Sequence, residues 1–449
     1  MASRVVEAPR HLRLVRPGER TATRAATQSR LVLTVIGATA ALTAIGLIMV
    51  LSASSVSSYA QYGSSFLFFK RQAMYAAVGT GFLVLTSRMR YAVWQRLAMP
   101  LLVVSVLLLL VVLHPGAGTV AGGSARWIAF GPVTIQPSEL AKLAVIAFAA
   151  TILTRKWKTL HRPAHLLLPL APVVGLVCVL IMMQPDMGTT LIIAATVGIL
   201  VFAAGARFKH LLIGAFTGGG LGLALIMSEG YRKARLLSFL HPQADPTNRG
   251  YQLLQSLIAL GSGGWFGVGL GQSRQKWMYV PNAHTDFIFS ILGEELGLIG
   301  ELVVLALFGL LLYAGLRIAV RAPDRFGRLL AAGIVGWLGL QTLVNLGAVT
   351  GLLPVTGVPL PLVSFGGSSL VVTLAAIGIL VSIGQSSKAA VPAQRPTPGP
   401  RPRPGSRPAG RSTPPAGRRP PPPRPARRRT TTRSTPVWGS ARRRQSGHR

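Results

Sequence analysis

The chain has 449 residues, half of them hydrophobic, and its 47 Lys and Arg against 11 Asp and Glu give a net charge of +36. This charge does not indicate a nucleic-acid-binding surface, because much of the excess lies at the two ends; residues 388–449 alone hold seventeen basic residues and no acid. The single cysteine, Cys178, excludes an intramolecular disulfide.

Apolar runs long enough to cross about 30 Å of hydrocarbon recur along the chain and predict an all-α polytopic membrane protein. We expect a basic cytoplasmic N-terminal tail over residues 1–30, a ten-helix membrane domain over 31–385 and a disordered Pro/Arg-rich cytoplasmic tail over 386–449. The predicted helices cover residues 31–53, 72–87, 97–113, 137–154, 166–183, 188–204, 209–228, 287–316, 329–349 and 364–385.

The distribution of Lys and Arg in the connecting loops predicts the orientation. With the N-terminus inside, four inner loops hold thirteen basic residues and the four short outer loops hold three. Both termini are therefore predicted to be cytoplasmic, and the large loop 229–286, between helices 7 and 8, extracytoplasmic. Residues 1–30 lack the short apolar core and the cleavage site of a signal peptide.

The C-terminal tail has too little apolar surface to fold. We expect it to bind either anionic lipid of the inner leaflet or a cytoplasmic partner. Nucleic acid is not expected as a ligand, because Trp438 is its one aromatic residue and stacking on bases needs several.

A first polar cluster on the predicted outer face runs from Arg126 to Lys142. Pro137 fits the first turn of a helix, where its missing N–H would be unpaired anyway. Glu139 and Lys142 are three residues apart, so they share a helix face and can pair. The pair predicts either a structural ion pair or the lining of a substrate cavity.

Two further clusters predict turns. Residues 184–190 (QPDMGTT) favour a tight turn in which Asp186 caps the sixth helix. Residues 353–369 form a proline-stiffened loop that enters a glycine-rich helix and includes Ser368. Such a loop is either a rigid wall beside an active cleft or a packing loop, since irregular backbone at membrane depth must be buried in protein or face a cavity.

The fourth cluster is the second half of the large loop. Its glycines between residues 261 and 271 predict flexible backbone that can approach a bulky anionic substrate. Arg249, Arg274 and Lys276 would offer charge-assisted hydrogen bonds to phosphate.

At the junction of this loop with the eighth helix lie three of the eleven acids, Asp286, Glu294 and Glu295. Charged groups at membrane depth are costly, and those present usually do chemistry, guide a substrate or pair. Asp286, beside His284 and Thr285, predicts a general base or, alternatively, the N-cap of the eighth helix.

Together these clusters resemble the SEDS family (shape, elongation, division and sporulation) over residues 31–385. The resemblance rests on residues 136–142 (QPSELAK), 184–190 (QPDMGTT) and 284–289 (HTDFIF), followed by Glu294 and Glu295. Residues 353–361 and 272–276 favour the FtsW division branch over the RodA elongation branch. Phe365 and Asn282 depart from the Tyr and Glu that the family pattern favours there.

The resemblance implies a peptidoglycan glycosyltransferase of the bacterial plasma membrane that polymerises lipid II into β-1,4-linked glycan at the division septum. It implies that Asp286 is the general base. The predicted substrate-binding residues are Arg126, Glu139, Lys142, Arg249, Lys276, His284, Thr285, Glu294, Glu295 and Ser368.

Three of these, Arg126, Arg249 and Lys276, are expected to stabilise the departing pyrophosphate, and a divalent cation such as Mg²⁺ or Mn²⁺ could share that role. The sequence predicts no closed metal site. Expected partners are a class B penicillin-binding protein (a transpeptidase) and other divisome proteins. The alternative functions are a lipid II flippase and a non-catalytic divisome scaffold that recruits a transpeptidase.

Overall fold

The structure is a computed structural model. It describes residues 17–116, 118–121, 124–131, 133–159, 163–206, 249–277 and 283–389, with a few isolated positions between 209 and 227. Most of the predicted seventh helix (209–228), the large loop from 229 to 248 and most of the C-terminal tail lie outside the described residues.

Ten α-helices and a small antiparallel sheet make up the described part of the chain. The helices are α1 (Pro17–Tyr62), α2 (Leu67–Arg88), α3 (Ala92–Leu113), α4 (Pro137–Arg155), α5 (Pro163–Met182), α6 (Met187–Ala203), α7 (Arg249–Ser262), α8 (Ile288–Val320), α9 (Arg325–Val349) and α10 (Gly367–Ala389). A single 3₁₀ turn, Trp157–Thr159, follows α4.

Between α3 and α4 the chain forms the strands β1 (Thr119–Ala121), β2 (Ser124–Phe130) and β3 (Val133–Ile135). Both pairs are antiparallel, with Val120 opposite Ala125 and Ile128 opposite Ile135. This sheet was not predicted, because its strands are short and separated by a few residues.

Six of the described helices are long and apolar enough to cross a membrane: α1, α3, α4, α8, α9 and α10. The apolar parts of α5 and α6 are shorter, at Pro169–Met182 and Met187–Ala203. The fold class is therefore confirmed, while the count of ten spans stays a prediction. Helix α7 lies inside the predicted loop 229–286 and is not one of the ten predicted helices.

Helix α1 is longer than the predicted span 31–53 at both ends. The polar residues before position 31 continue the helix because no Pro or Gly interrupts them after Gly18, and hydropathy alone does not detect such a polar extension. The helix ends before Gly63, whose φ of +68° is a conformation that suits glycine.

The helices differ in how much of their surface is covered by protein. Most of the apolar stretch of α4, α9 and α10 is buried inside the protein, whereas only 22% of the α8 stretch and 28% of the α3 stretch is. Helix α4 presents Ala141, Ala144, Ala147 and Ala150 among its buried residues, and such small side chains let membrane helices approach closely. Helices α4, α9 and α10 thus form the centre, and α3 and α8 leave large faces for lipid.

Candidate functional site

Asp286 lies in a turn, residues 283–287, that leads into α8. The turn is fixed at both ends because Ala283 and Phe287 are buried. The N-cap position of α8 is occupied by Phe287, which makes no side-chain cap hydrogen bond. Asp286 therefore lies one residue before the cap, and its side chain is partly exposed.

The ring of His284 lies between two phenylalanines. Its centroid is 4.8 Å from that of Phe68 and 5.6 Å from that of Phe365. The backbone N–H of Phe365 donates to the carbonyl of His284 at 2.9 Å. Burial lowers the pKa of His284 to about 4, so the ring is neutral at physiological pH. His284 thus holds the turn against α2 and the loop before α10.

Asn345, on α9, supports the Asp286 turn from inside the protein. Its Nδ2 donates to the backbone oxygen of Asp286 at 2.9 Å and to that of Val358 at 2.8 Å. Asn345 is 1% exposed, so these bonds are shielded from water. One amide therefore joins the turn to residues 353–366, here called the proline loop.

The carboxylate of Asp286 faces the proline loop at Gly357. A Cβ atom at Gly357 would be 3.7 Å from Oδ2 of Asp286, and the φ of Gly357 is +74°. A side chain at position 357 would therefore be strained by the backbone conformation, and its Cβ would be in ordinary van der Waals contact with the carboxylate.

The proline loop is held by four helices. Nε2 of Gln72 (α2) donates to the carbonyl of Ser364 at 3.1 Å, and Nε2 of Gln341 (α9) donates to that of Pro359 at 2.9 Å. At Gly46 (α1) a Cβ atom would be 2.7 Å from Cα of Val363, and at Gly188 (α6) 2.9 Å from the oxygen of Thr356. The loop is thus packed against four helices beside Asp286, and its role as the wall of an active cleft stays a prediction.

Glu139 and Lys142 form the predicted ion pair, with Nζ to Oε1 at 2.9 Å. Both are 2% exposed, so the pair is buried. Nζ of Lys142 also donates to Oε1 of Gln341 at 2.9 Å and lies 5.0 Å from the centroid of the Trp337 ring. Among the described residues, Oε2 of Glu139 has no hydrogen-bond partner.

A ladder of polar side chains follows one face of α9. Trp337, Gln341 and Asn345 are spaced by four residues, and Nε1 of Trp337 donates to Oε1 of Gln341 at 2.7 Å. The ladder starts at the Glu139–Lys142 pair and ends at the Asp286 turn. Sequence analysis missed Gln341 and Asn345, although two amides four apart in an apolar helix are a detectable signal.

Three further predicted residues, Arg126, Asp186 and Ser368, hydrogen-bond to backbone groups. Nε of Arg126 donates to the carbonyl of Gln184 at 3.0 Å, and its Nη2 donates to that of Pro185, so the sheet is tied to the α5–α6 turn. Asp186 caps α6 as predicted, accepting from the N–H of Thr189 at 3.1 Å. Oγ of Ser368 accepts from the N–H of Gln136 at 3.2 Å.

Helix α8 is broken at Gly297, whose φ of +66° and ψ of −170° are not helical. Residues 263–277, here called the glycine segment, replace the missing helical hydrogen bonds. The N–H groups of Val268 and Gly269 donate to the carbonyls of Glu294 and Glu295 at 2.9 and 3.0 Å. In return, the N–H groups of Leu298 and Ile299 donate to carbonyls of the segment. The prediction of a flexible glycine backbone is wrong between residues 263 and 269.

The two buried glutamates of α8 bind the glycine segment and α1. Glu294 accepts from Oγ of Ser273 and, at 2.9 Å, from the N–H of Arg274. Glu295 accepts from Oγ of Ser52 at 2.6 Å, and Nζ of Lys276 lies 3.7 Å from it. Lys276 also donates to the carbonyl of Gly271. These carboxylates thus anchor the break in α8, and their predicted contact with substrate stays a prediction.

The structure brings the predicted site residues into three groups. His284, Thr285 and Asp286 share one turn; Glu139 and Lys142 join the α9 ladder; Lys276 joins Glu294 and Glu295. The side chain of Arg249 lies outside the described residues. In the part of the chain that the structure describes, no three His, Cys, Asp or Glu side chains cluster as they would to hold a metal ion.

Comparison with known proteins shows which protein family has a similar sequence. The family model for FtsW, RodA and SpoVE, described as cell cycle protein, matches residues 32–389. Stage V sporulation protein E of Bacillus subtilis is 44% identical over 344 residues, which are 77% of this chain and 94% of that protein. A Geobacter metallireducens protein named probable peptidoglycan glycosyltransferase FtsW is 43% identical over 348 residues, 78% of this chain and 93% of that one.

Solved structures agree. A chain of a peptidoglycan synthase complex, described for its coordination of polymerization and crosslinking, superposes with a TM-score of 0.65 and 32% identity, covering 79% of this chain and 97% of that one. The rod shape determining protein RodA of Thermus thermophilus gives 0.57 and 31%, covering 78% and 96%. The chain therefore belongs to the FtsW/RodA/SpoVE family of membrane proteins.

Proposed function

We propose that this protein is a peptidoglycan glycosyltransferase that polymerises lipid II, with Asp286 as its general base. The class of reaction is supported by the family and by relatives named peptidoglycan glycosyltransferase FtsW. The observation that carries the assignment of the base is the position of Asp286: the residue is partly exposed, its backbone is fixed by Asn345, and its Oδ2 lies close to Gly357 of the proline loop.

In the proposed reaction the 4-hydroxyl of the acceptor sugar gives its proton to the carboxylate of Asp286. The hydroxyl oxygen forms a bond to the anomeric carbon of the donor sugar as the bond from that carbon to the pyrophosphate oxygen breaks. The electron pair leaves with undecaprenyl pyrophosphate, and the anomeric centre inverts. A positioned base typically contributes 10²–10⁴-fold to the rate.

The leaving pyrophosphate needs a cationic partner, and two of the three predicted cations, Arg126 and Lys276, have described side chains that differ in how well they fit. Arg126 is partly exposed and already fixed by two backbone carbonyls, so it is pre-organised for an anion. Lys276 is 7% exposed and paired with Glu295, so it would have to leave that carboxylate to reach phosphate. Arg126 is therefore the better candidate in this conformation.

The end of α8 that carries Asp286 is proposed to be extracytoplasmic, as the distribution of Lys and Arg favours. We propose the division septum as the site of action and a class B transpeptidase as the partner. The proposed transpeptidase partner is supported by the solved relative, which forms part of a complex that coordinates polymerization and crosslinking.

The test is a polymerisation assay on the purified full-length chain with its transpeptidase partner and lipid II, with gel analysis of the glycan products. Asp286→Asn is compared with Asp324→Asn, a matched change at the opposite end of α8. Asp324 is exposed and caps α9, accepting from the N–H of Gly327 at 2.7 Å. Asparagine caps helices about as well as aspartate, so the control should fold and polymerise.

We expect polymer from wild type and from Asp324→Asn, and a loss of 10²-fold or more in Asp286→Asn. Equal polymer from all three proteins would remove Asp286 from catalysis. If none of them forms polymer although the complex is intact, and the chain instead moves lipid II across vesicle membranes, the flippase is the better assignment.

A further inference from the structure

The outer surface of the glycine segment is apolar from Gly264 to Leu270, whereas Gln272 and Arg274 are exposed towards its end. Phe266 is 81% exposed and Trp265 68% exposed, and Leu270 and Trp277 are exposed as well. From residue 250 to residue 273 the sequence contains no charged side chain. A water-exposed loop would rarely present such a surface without a function, since contiguous apolar patches usually mark a contact with protein or membrane.

This surface continues the lipid-facing side of α8. The N–H of Ile299 donates to the carbonyl of Trp265 at 3.3 Å, which places the segment directly beside the helix. On α8, Leu298, Ile299 and Leu302 are exposed, in a stretch of which protein covers only 22%. The apolar surface of the glycine segment therefore adjoins the exposed apolar residues of α8, with the partly exposed Glu301 as the one acid among them.

The position of the break along α8 sets the depth of the segment. Helix α8 has 33 residues and would be about 50 Å long at 1.5 Å per residue, whereas the hydrocarbon core needs about 20 residues. Arg317 and Arg321 mark one end of the span; about 20 residues back from Arg317 lies Gly297. The break and the segment bonded to it are therefore at the opposite hydrocarbon boundary.

Backbone bonding at the break fits this position. At the boundary, N–H and C=O groups freed from a helix cannot rely on water. The carbonyls of Glu294 and Glu295 and the N–H groups of Leu298 and Ile299 are all bonded to the glycine segment. The segment thus completes the helix while presenting aromatic side chains outward, and Trp is enriched at such interfaces.

We propose that the glycine segment is inserted in the membrane leaflet on the Asp286 side, with Trp265, Phe266 and Leu270 among the lipid acyl chains near the headgroups. Insertion would hold the break in α8 and its two buried glutamates at a fixed depth. This inference rests on the membrane fold and does not depend on the proposed glycosyltransferase reaction. The alternative is that a helix of a protein partner, rather than lipid, covers this apolar surface.

The experiment measures the depth of nitroxide labels on the full chain in vesicles of phosphatidylethanolamine and phosphatidylglycerol. Cys178→Ala removes the native thiol, and labels are attached in turn through Phe266→Cys and Leu270→Cys. Leu310→Cys, on the exposed face of α8, is the lipid control, and Pro323→Cys, in the exposed loop after α8, is the aqueous control. Collisions with oxygen, which partitions into lipid, are compared with collisions with a water-soluble nickel complex.

We expect oxygen to dominate at positions 266, 270 and 310, and nickel to dominate at 323. Labels at 266 and 270 that behave like the label at 323 would overturn the proposal. It would equally be overturned if, on addition of the transpeptidase partner, the labels at 266 and 270 became shielded from both reagents, because a protein surface would then be the occupant. The two positions are read independently, so misfolding of one variant does not remove the test.

Discussion

The break in α8 makes a sharp prediction for Gly297→Ala. The φ of +66° and ψ of −170° at Gly297 belong to a region that is essentially restricted to glycine, and a residue with a Cβ there costs about 1–3 kcal/mol. A Cβ at Gly297 would also lie 2.7 Å from the backbone nitrogen of Phe266, and backbone cannot rotate away as a side chain can.

The clash can be relieved only if the glycine segment moves away from α8. Four backbone hydrogen bonds join the two, and each contributes a net 0.5–1.5 kcal/mol, so their loss costs roughly 2–6 kcal/mol. We therefore expect Gly297→Ala to lower the free energy of unfolding, or of local opening, by about 3 kcal/mol or more.

The matched control is Gly309→Ala, in the same helix. A Cβ at Gly309 meets nothing within 4 Å, so replacing glycine by alanine should leave stability unchanged or raise it by up to about 1 kcal/mol. Unfolding in mixed micelles gives the global effect. Hydrogen exchange of the Val268 and Gly269 amides gives the local one, and a loss of about 3 kcal/mol corresponds to roughly 100-fold faster exchange. If the two variants unfold alike and protect these amides equally, the argument for the break is wrong.

Three other predictions concern the inner ladder and the Asp286 turn. Lys142→Met should destabilise the protein by about 3–5 kcal/mol, because Glu139 is left buried and unpaired. Adding Glu139→Gln should restore most of the lost free energy of unfolding, as measured by denaturant titration. If it restores none, the loss does not come from the unpaired charge of Glu139. Asn345→Ala should lower the kcat of polymerisation more than it changes the KM for lipid II, because it releases the backbone of Asp286; an effect on KM alone would contradict a positioning role. Burial lowers the pKa of His284 to about 4, so between about pH 6.5 and 4 the unfolded state binds more protons than the folded state, and the free energy of unfolding should fall as the pH is lowered through that interval. His284→Phe should reduce this dependence of stability on pH. If the slope is unchanged in the variant, other groups cause it.

Hydropathy predicted the long apolar helices well, but it missed helix α7, the small sheet and the polar extension of α1. Helix α4, predicted at 137–154, runs over Pro137–Arg155, because Pro137 fixes its start and its apolar side chains are continuous. Helix α7 and the sheet escaped prediction because they are short: α7 has fourteen residues, and the three strands have three, seven and three. The extension of α1 escaped because helix propensity, unlike hydropathy, persists in polar sequence.

In the candidate site, the scarcity of acids was enough to single out Asp286, whose catalytic role stays a prediction, but the groups that hold its turn were not predictable from local sequence pattern. Asn345 is 59 residues from Asp286 in sequence, and both of its acceptors are backbone carbonyls, which any residue type provides. Glu294 and Glu295 were recognised as buried acids, yet their partners, Ser52 and Ser273, lie in other segments of the chain. A rare acid in an apolar segment is therefore easier to recognise from sequence than the amide, hydroxyl and backbone groups that bind it.

The proline loop has a consequence for genetics. It is gripped by α1 at Gly46, α2 at Gln72, α6 at Gly188 and α9 at Gln341, and it forms the wall that the Asp286 carboxylate faces. A random screen for inactive but membrane-inserted protein should therefore recover alleles scattered over four helices that are remote in sequence. Second-site suppressors of such alleles should map to the proline loop itself. The inactivating mutations would thus be spread along the gene, whereas their suppressors would be concentrated in one segment.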